Sequence, residues 1–294
     1  MARLPTSPSA QDVIFARCCV RSLLNLRATS KACLQMVTDM LYRSLLTLCR
    51  RYMSKPTLFL RALTFHRAFI GGSVAVRFMT PESPFDCDTL DVFVPYDEER
   101  DFLRRLCRDQ GAKISTIRYG TDDGEGWLRE HALVSVTVLH TTVGTMRVHR
   151  SVAIDALAPL VCGWSSLHVT YVNAKHFGTA FPGLLFQHRG LVGDGIAGEV
   201  ELVDRWLRRG YDLKMSARAW QEYRHPAPCA ASRWVCHAQP RRLDDIAAMR
   251  VRMRPLEDRP LMSLVVWRLD SRPCGGRCLC GGDILQSWDK YGVL

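Results

Sequence analysis

The residues best placed to do chemistry lie in one stretch, Phe69–Val94, which reads FIGGSVAVRFMTPESPFDCDTLDVFV. Gly71 and Gly72 allow a sharp backbone turn that carries N–H groups close to a phosphate. Ser73 follows and opens a short helix, Ser73–Phe78, whose N-terminus favours an anion. Beyond a loop of proline and polar residues, Leu90-Asp91-Val92-Phe93-Val94 is an apolar, β-branched run with one carboxylate inside it. A carboxylate set among buried strand residues is costly unless it meets a cation or a donor. A glycine–serine turn for the phosphates of an NTP, with carboxylates on the next strand for Mg²⁺, is the layout of metal-assisted nucleotidyl transfer.

Two further carboxylates stand near enough in sequence to complete such a site. Asp88 precedes the strand, but strand alternation points it away from Thr89 and Asp91, and only a local bulge would bring it round. The other comes from a later strand candidate, Met146–Ile154. There Met146, Val148, Val152 and Ile154 occupy one face, and Arg147, His149, Ser151 and Ala153 the other, with no acid among them. Asp155 is in phase with that second face at the strand's end. It is either a third ligand or the cap of a helix that begins near Ala156, and capping is the commoner use.

The stretch resembles the signature of the nucleotidyltransferase superfamily, a Gly-Gly or Gly-Ser turn followed by Asp-x-Asp within apolar residues. Gly72 and Ser73 match the turn, Asp91 matches the second Asp, and the first Asp falls on Thr89. More narrowly, the chain is similar to a large group of fungal proteins with this fold, in which a Trp-Ser-Thr helix precedes a Tyr-Pro dipeptide and an Arg pair. Trp164, Ser165, Phe181 and Pro182 match those positions. The resemblance implies an α+β domain with a nucleotidyltransferase-like mixed sheet flanked by helices. A neutral hydroxyl at Thr89 cannot supply the missing charge on Mg²⁺. The expectation is therefore a catalytically degenerate member that acts as a binding or adaptor module. The alternative is an active Mg²⁺-dependent enzyme that transfers NMP from an NTP to a protein or RNA hydroxyl. In that enzyme Asp91, with Asp88 and Asp155, would hold the metal, and Gly71, Gly72 and Ser73 the phosphates.

The supporting elements divide the chain into residues 1–54, 55–224 and 225–294. In the first segment, Leu34, Val37, Leu41, Leu45 and Leu48 recur at helical spacing over Lys31–Met53, with Thr29-Ser30 as cap. The preceding Ser22–Lys31 phrase and Leu4-Pro5 resemble an F-box, which implies a Skp1-type ubiquitin-ligase adaptor as partner. The other reading is a helical preamble that packs on the next domain. In the second segment, Lys55-Pro56 starts a helix, Asp97 caps another that Gly111 ends, and Ile114–Tyr119 and Leu133–His140 are strands. Gly163–Gly178 is expected to be helical. Glu199–Arg224 is read as a long helix that Gly210 breaks or kinks. In the third segment, Ala248–Met253 and Ser263–Leu269 read as strands. Cys229, Cys236, His237, Cys274, Cys278 and Cys280 gather around glycine turns in a way that suits tetrahedral Zn²⁺, although their spacing does not repeat the common knuckle pair.

Composition is that of a globular chain of 294 residues, with no apolar run of membrane-spanning length. The first residues lack the apolar core of a secretory signal, and twelve cysteines without such a signal suit a reducing, cytoplasmic or nuclear compartment. The formal charge of +11 would suit nucleic acid or an acidic protein, or simply a solvated helical surface.

Overall fold

The computed structural model describes residues 18–83, 85–120, 128, 131–193, 200–224, 234–253, 263, 265–270 and 291–293. Helix α1 (Val20–Arg27) leads into α2 (Lys31–Cys49). The Ser30 hydroxyl accepts the Cys33 N–H at 3.1 Å, as an N-cap should. Val37, Leu41, Leu45 and Cys49 form the buried stripe of α2. Helix α3 (Pro56–Phe65) starts on proline, where the missing N–H has no helical partner to lose. Strand β1 (Phe69–Gly71), helix α4 (Gly72–Met79) and strand β2 (Thr89–Val94) then form the expected strand, turn, helix and acidic strand. Helix α5 (Glu99–Gln110) ends on Gly111 at φ +64°, and β3 (Lys113–Tyr119), β4 (Leu133–His140) and β5 (Thr145–Ser151) follow.

Past α6 (Ala158–Val161) come β6 (Thr170–Val172), β7 (His176–Thr179), α7 (Pro182–Leu185), β8 (Arg189–Leu191), α8 (Val200–Arg208) and β9 (Asp212–Lys214). The last described strands are β10 (Arg241–Arg242), β11 (Met249–Arg252), β12 (Val265–Trp267) and β13 (Tyr291–Val293). One sheet of eight strands has the order β11-β7-β6-β1-β2-β5-β4-β3. Within it β2 and β5 are parallel and the other neighbours antiparallel, so the sheet is mixed and the architecture α+β, as expected.

Strand alternation gives the central sheet two faces. Ile70, Val92, Met146 and Val148 face a core shared with Val37, Leu41 and Leu45 of α2, Leu63 of α3 and Phe102 of α5. Phe69 and Phe93 face the other way, into a core with Leu160 of α6, Leu184 of α7 and Trp267 of β12. Asp91 lies two residues from Phe93 and therefore emerges on this second face. The segments on either side of residues 54 and 224 share these cores, and β11 extends the main sheet from the C-terminal region. Arg27 Nη2 also donates to the Met253 carbonyl at 3.1 Å, tying α1 to the end of β11.

Several expectations are corrected. Gly163–Gly178 holds a turn and two antiparallel strands, not a helix. Thr170-Tyr171-Val172 and Phe177 favour pleated structure, and Asn173 closes the turn by accepting from the N–H groups of Lys175 and His176. The helix expected over Glu199–Arg224 breaks at Gly210 (φ +83°), as expected, but beyond the break lie β9 and two short 3-10 turns instead of more helix, and Tyr211 is drawn into the core. Asp97 does not cap α5 but pairs with Arg67 at 2.8 Å, and Glu98 takes the N-cap position without a side-chain bond. Strand β5 stops at Ser151, which leaves Val152 and Ile154 exposed rather than on the apolar face.

Candidate functional site

The centre of the second sheet face is Asp91. Parallel pairing sets Asp91 beside Arg147, with His149 two residues further along the same face of β5. Arg147 clasps the carboxylate with both arms of its fork, Nε to Oδ1 at 2.7 Å and Nη2 to Oδ2 at 3.0 Å. His149 Nε2 lies 2.9 Å from Oδ1. An ionised carboxylate only accepts, so this nitrogen carries the proton and donates. The His149 ring is stacked on Phe93 at a centroid distance of 4.6 Å, which fixes its plane. Burial alone would raise the Asp91 pKa, but the His149 bond and the Arg147 charge outweigh it and hold the group at about 2. Reciprocally, the Asp91 charge raises the pKa of Arg147.

The glycine turn is built against this ion pair. Gly72 has φ +59°, and a Cβ there would stand 2.8 Å from Asp91 Oδ2. A Cβ on Gly71 would stand 2.6 Å from both Leu160 Cδ2 and Phe93 Cε2. Both positions therefore need glycine for close packing, and Gly72 needs it for its dihedral as well. Ser73 Oγ is also engaged, accepting from Arg209 Nη1 at 3.0 Å. Arg209 follows the end of α8. Its guanidinium lies 4.4 Å from the Phe85 ring centroid and 4.8 Å from that of Trp206, while Nη2 donates to the Asp86 carbonyl at 2.8 Å.

These groups line a cavity of about 380 Å³. Its lining includes the cations Arg147, Arg205 and Arg209 and the apolar residues Phe93, Leu133, Leu160, Trp164, Leu202 and Trp206. Among the described residues, the buried His149 Nδ1 and Trp164 Nε1 have no hydrogen-bond partner. Burial pushes the pKa of His168 down to about 4, so the ring is neutral at physiological pH.

Of the residues singled out from sequence, Gly72, Ser73, Asp88 and Asp91 meet in this cavity, and Thr89 joins them. Gly71 lies directly behind it, against Leu160 and Phe93. Asp88 is exposed at the rim. Asp155 is not among the lining residues. It accepts the Leu157 N–H at 2.8 Å and the Ser263 hydroxyl at 2.5 Å, in a turn ahead of α6 rather than as its cap, since the N-cap is Leu157 and carries no side-chain bond, and burial raises its pKa. Cys236 and His237 are buried. Cys229, Cys274, Cys278 and Cys280 lie outside the described residues. Among the described residues no three His, Cys, Asp or Glu side chains gather as a metal site would require.

Sequence reasoning passed over Arg147, His149, His168, Arg205 and Arg209. The face of β5 that carries Arg147 and His149 is legible in the sequence and holds no acid. A basic pair in phase with a lone buried Asp on a neighbouring strand is itself a signal for an internal counter-ion. Arg209 gave no local signal, because its approach to Ser73 depends on where α8 packs. No protein-family model, curated protein or solved structure matched the chain.

Proposed function

We propose that the chain is a catalytically degenerate nucleotidyltransferase-like protein that works as a binding module, with an internal arginine where a metal would be needed. The observation that carries this reading is the two-armed Arg147–Asp91 pair. Arg147 sits on the strand parallel to β2 and opposite Asp91, where a further carboxylate would have to face it. The residues present do not suit Mg²⁺. That ion takes oxygen ligands from carboxylates, whereas both Asp91 oxygens are engaged, Thr89 is neutral, and Asp155 is committed to the Leu157 N–H and the Ser263 hydroxyl. A fixed guanidinium beside the carboxylate also repels a second cation.

The burial of α2 supports a binding module over a ubiquitin-ligase adaptor. Its stripe of Val37, Leu41 and Leu45 packs into the core of the sheet, so that apolar surface is committed within the chain. Copurification of a Skp1-type protein from a eukaryotic lysate would revive the adaptor version. Zinc on the C-terminal cysteines and a nucleic-acid partner remain proposals that rest on composition.

The test is calorimetric titration with Mg-ATP and Mg-GTP. Wild type should show no Mg²⁺-dependent binding. The double variant Thr89→Asp/Arg147→Asp, which restores carboxylates on both sides of Asp91, should gain it. Mg²⁺-dependent NTP binding or transfer by wild type that is lost in Asp91→Ala would establish the active enzyme instead.

A further inference from the structure

We infer that a basic groove, on the helices that cover the sheet face opposite Asp91, binds an acidic peptide segment with an apolar side chain among its carboxylates. The inference goes beyond the reading of the Asp91 site and does not depend on it. The groove has a volume of about 780 Å³ and is bordered by α2, α3 and α5 and by one edge of the main sheet. Helix α3 buries Phe59, Leu60, Ala62 and Leu63 in the core and turns Arg61 and Phe65, about one helical turn apart, to the groove. Arg105 of α5 stands over the Phe65 ring, 5.3 Å from its centroid. From the sheet come Lys175, in the turn between β6 and β7, and Arg252, at the end of β11. Antiparallel pairing sets Arg252 opposite His176, and the Met253 N–H donates to the Lys175 carbonyl at 2.6 Å. Backbone bonds thus bring these basic residues to one edge.

Four cations from four parts of the chain therefore converge, and no Asp or Glu lines the groove with them. Elsewhere surface arginines are matched locally: Arg51 pairs with Asp86, Arg67 with Asp97, Arg104 with Asp101 and Arg242 with Asp244. In the groove, Arg105 shares the Asp109 carboxylate with Arg108. Among the described residues Arg61 and Arg252 have no ion-pair partner. Like charges gathered in a concave surface focus a field that draws an anion, and the guanidinium fork fits a carboxylate with two bonds. Phe65 sets the second requirement, because its ring is 70% exposed in the midst of these charges. A compact polyanion would leave that ring in water. A nucleobase needs a ring face to stack on, and Arg105 already covers one. A peptide with an aliphatic side chain between its carboxylates answers the cations and the ring together.

The probe is a fluorescein-labelled decapeptide of Glu with Leu at every third position, titrated with the full chain and read by anisotropy. It should bind, and more weakly as salt rises. Arg61→Glu/Arg252→Glu should lower its affinity about tenfold or more. Both side chains are exposed, so this variant should keep the native circular dichroism. Arg104→Glu/Arg118→Glu makes the same change of charge outside the groove and should bind as wild type does. Phe65→Ser should weaken the Leu-containing peptide and leave a Ser-for-Leu analogue unaffected. Failure of the peptide to bind would overturn the inference. Equal losses in the two double variants would overturn it as well, because they would mark unspecific attraction to a basic chain. Tighter binding of inositol hexakisphosphate, or of a single-stranded oligonucleotide, that is lost in Arg61→Glu/Arg252→Glu would overturn the peptide as occupant.

Discussion

At the scale of single residues, the account turns on what Asp91 is bonded to. Removing one member of a buried ion pair leaves the other uncompensated. Arg147 is 44% exposed, however, and water weakens the pair relative to a fully buried one. A double-mutant cycle of Asp91→Asn and Arg147→Gln should therefore give a coupling of about 1–3 kcal/mol in urea unfolding; additive costs would show that the pair is incidental. Gly72→Ala should cost about 2 kcal/mol or more, because it adds a positive-φ penalty to a clash with the carboxylate. The two lowered pKa values separate in pH. Asp91 is held at about 2 against an ordinary 3.8, so its contribution is present above that ordinary value and is lost as pH falls toward 2. His168 at about 4 against 6.5 is neutral in the fold, so stability is full above 6.5 and declines as pH falls toward 4. That decline should be on the order of 2–3 kcal/mol and should disappear in His168→Phe, with thermal unfolding across this range as the readout.

At the scale of elements, the parallel neighbours β2 and β5 and the turn into α4 position the site, while α2 and α3 support the opposite face of the sheet. Leu45 of α2 is fully buried in the core that also holds Val92. Leu45→Ala should thus cost about 2–4 kcal/mol, with helix and sheet lost in a single transition by circular dichroism and tryptophan fluorescence. Two separate transitions would mean that the N-terminal helices fold alone. The helices and strands around Gly71–Val94 were legible because their signals are local: Pro56 at a helix start, Ser30 at a cap, Gly111 at an end, apolar alternation through β2 and β5. The helix expected over Gly163–Gly178 failed because its strands are three and four residues long. Runs that short carry too little periodicity to separate a strand from a helix, and what makes them strands is pairing with β1 and β11.

At the scale of the whole molecule, the three sequence segments share cores and the last two share the main sheet, so the site depends on packing from all three. Deletion of residues 1–54 should expose the inner face of α3 and leave the remainder insoluble or unfolded; a truncated chain with native-like thermal unfolding would contradict the shared core. The candidate site was half legible on the same physical grounds. The turn and Asp91 are contiguous in sequence and announce themselves. The cations that answer Asp91 and Ser73 come from β5 and the end of α8, and only tertiary packing brings them together. The measurement that tests the central claim most directly is the Mg²⁺ dependence of NTP binding in wild type beside Thr89→Asp/Arg147→Asp. An internal counter-ion predicts no metal-dependent heat from wild type and a gain in the double variant. Metal-dependent binding by wild type that Asp91→Ala abolishes would contradict it.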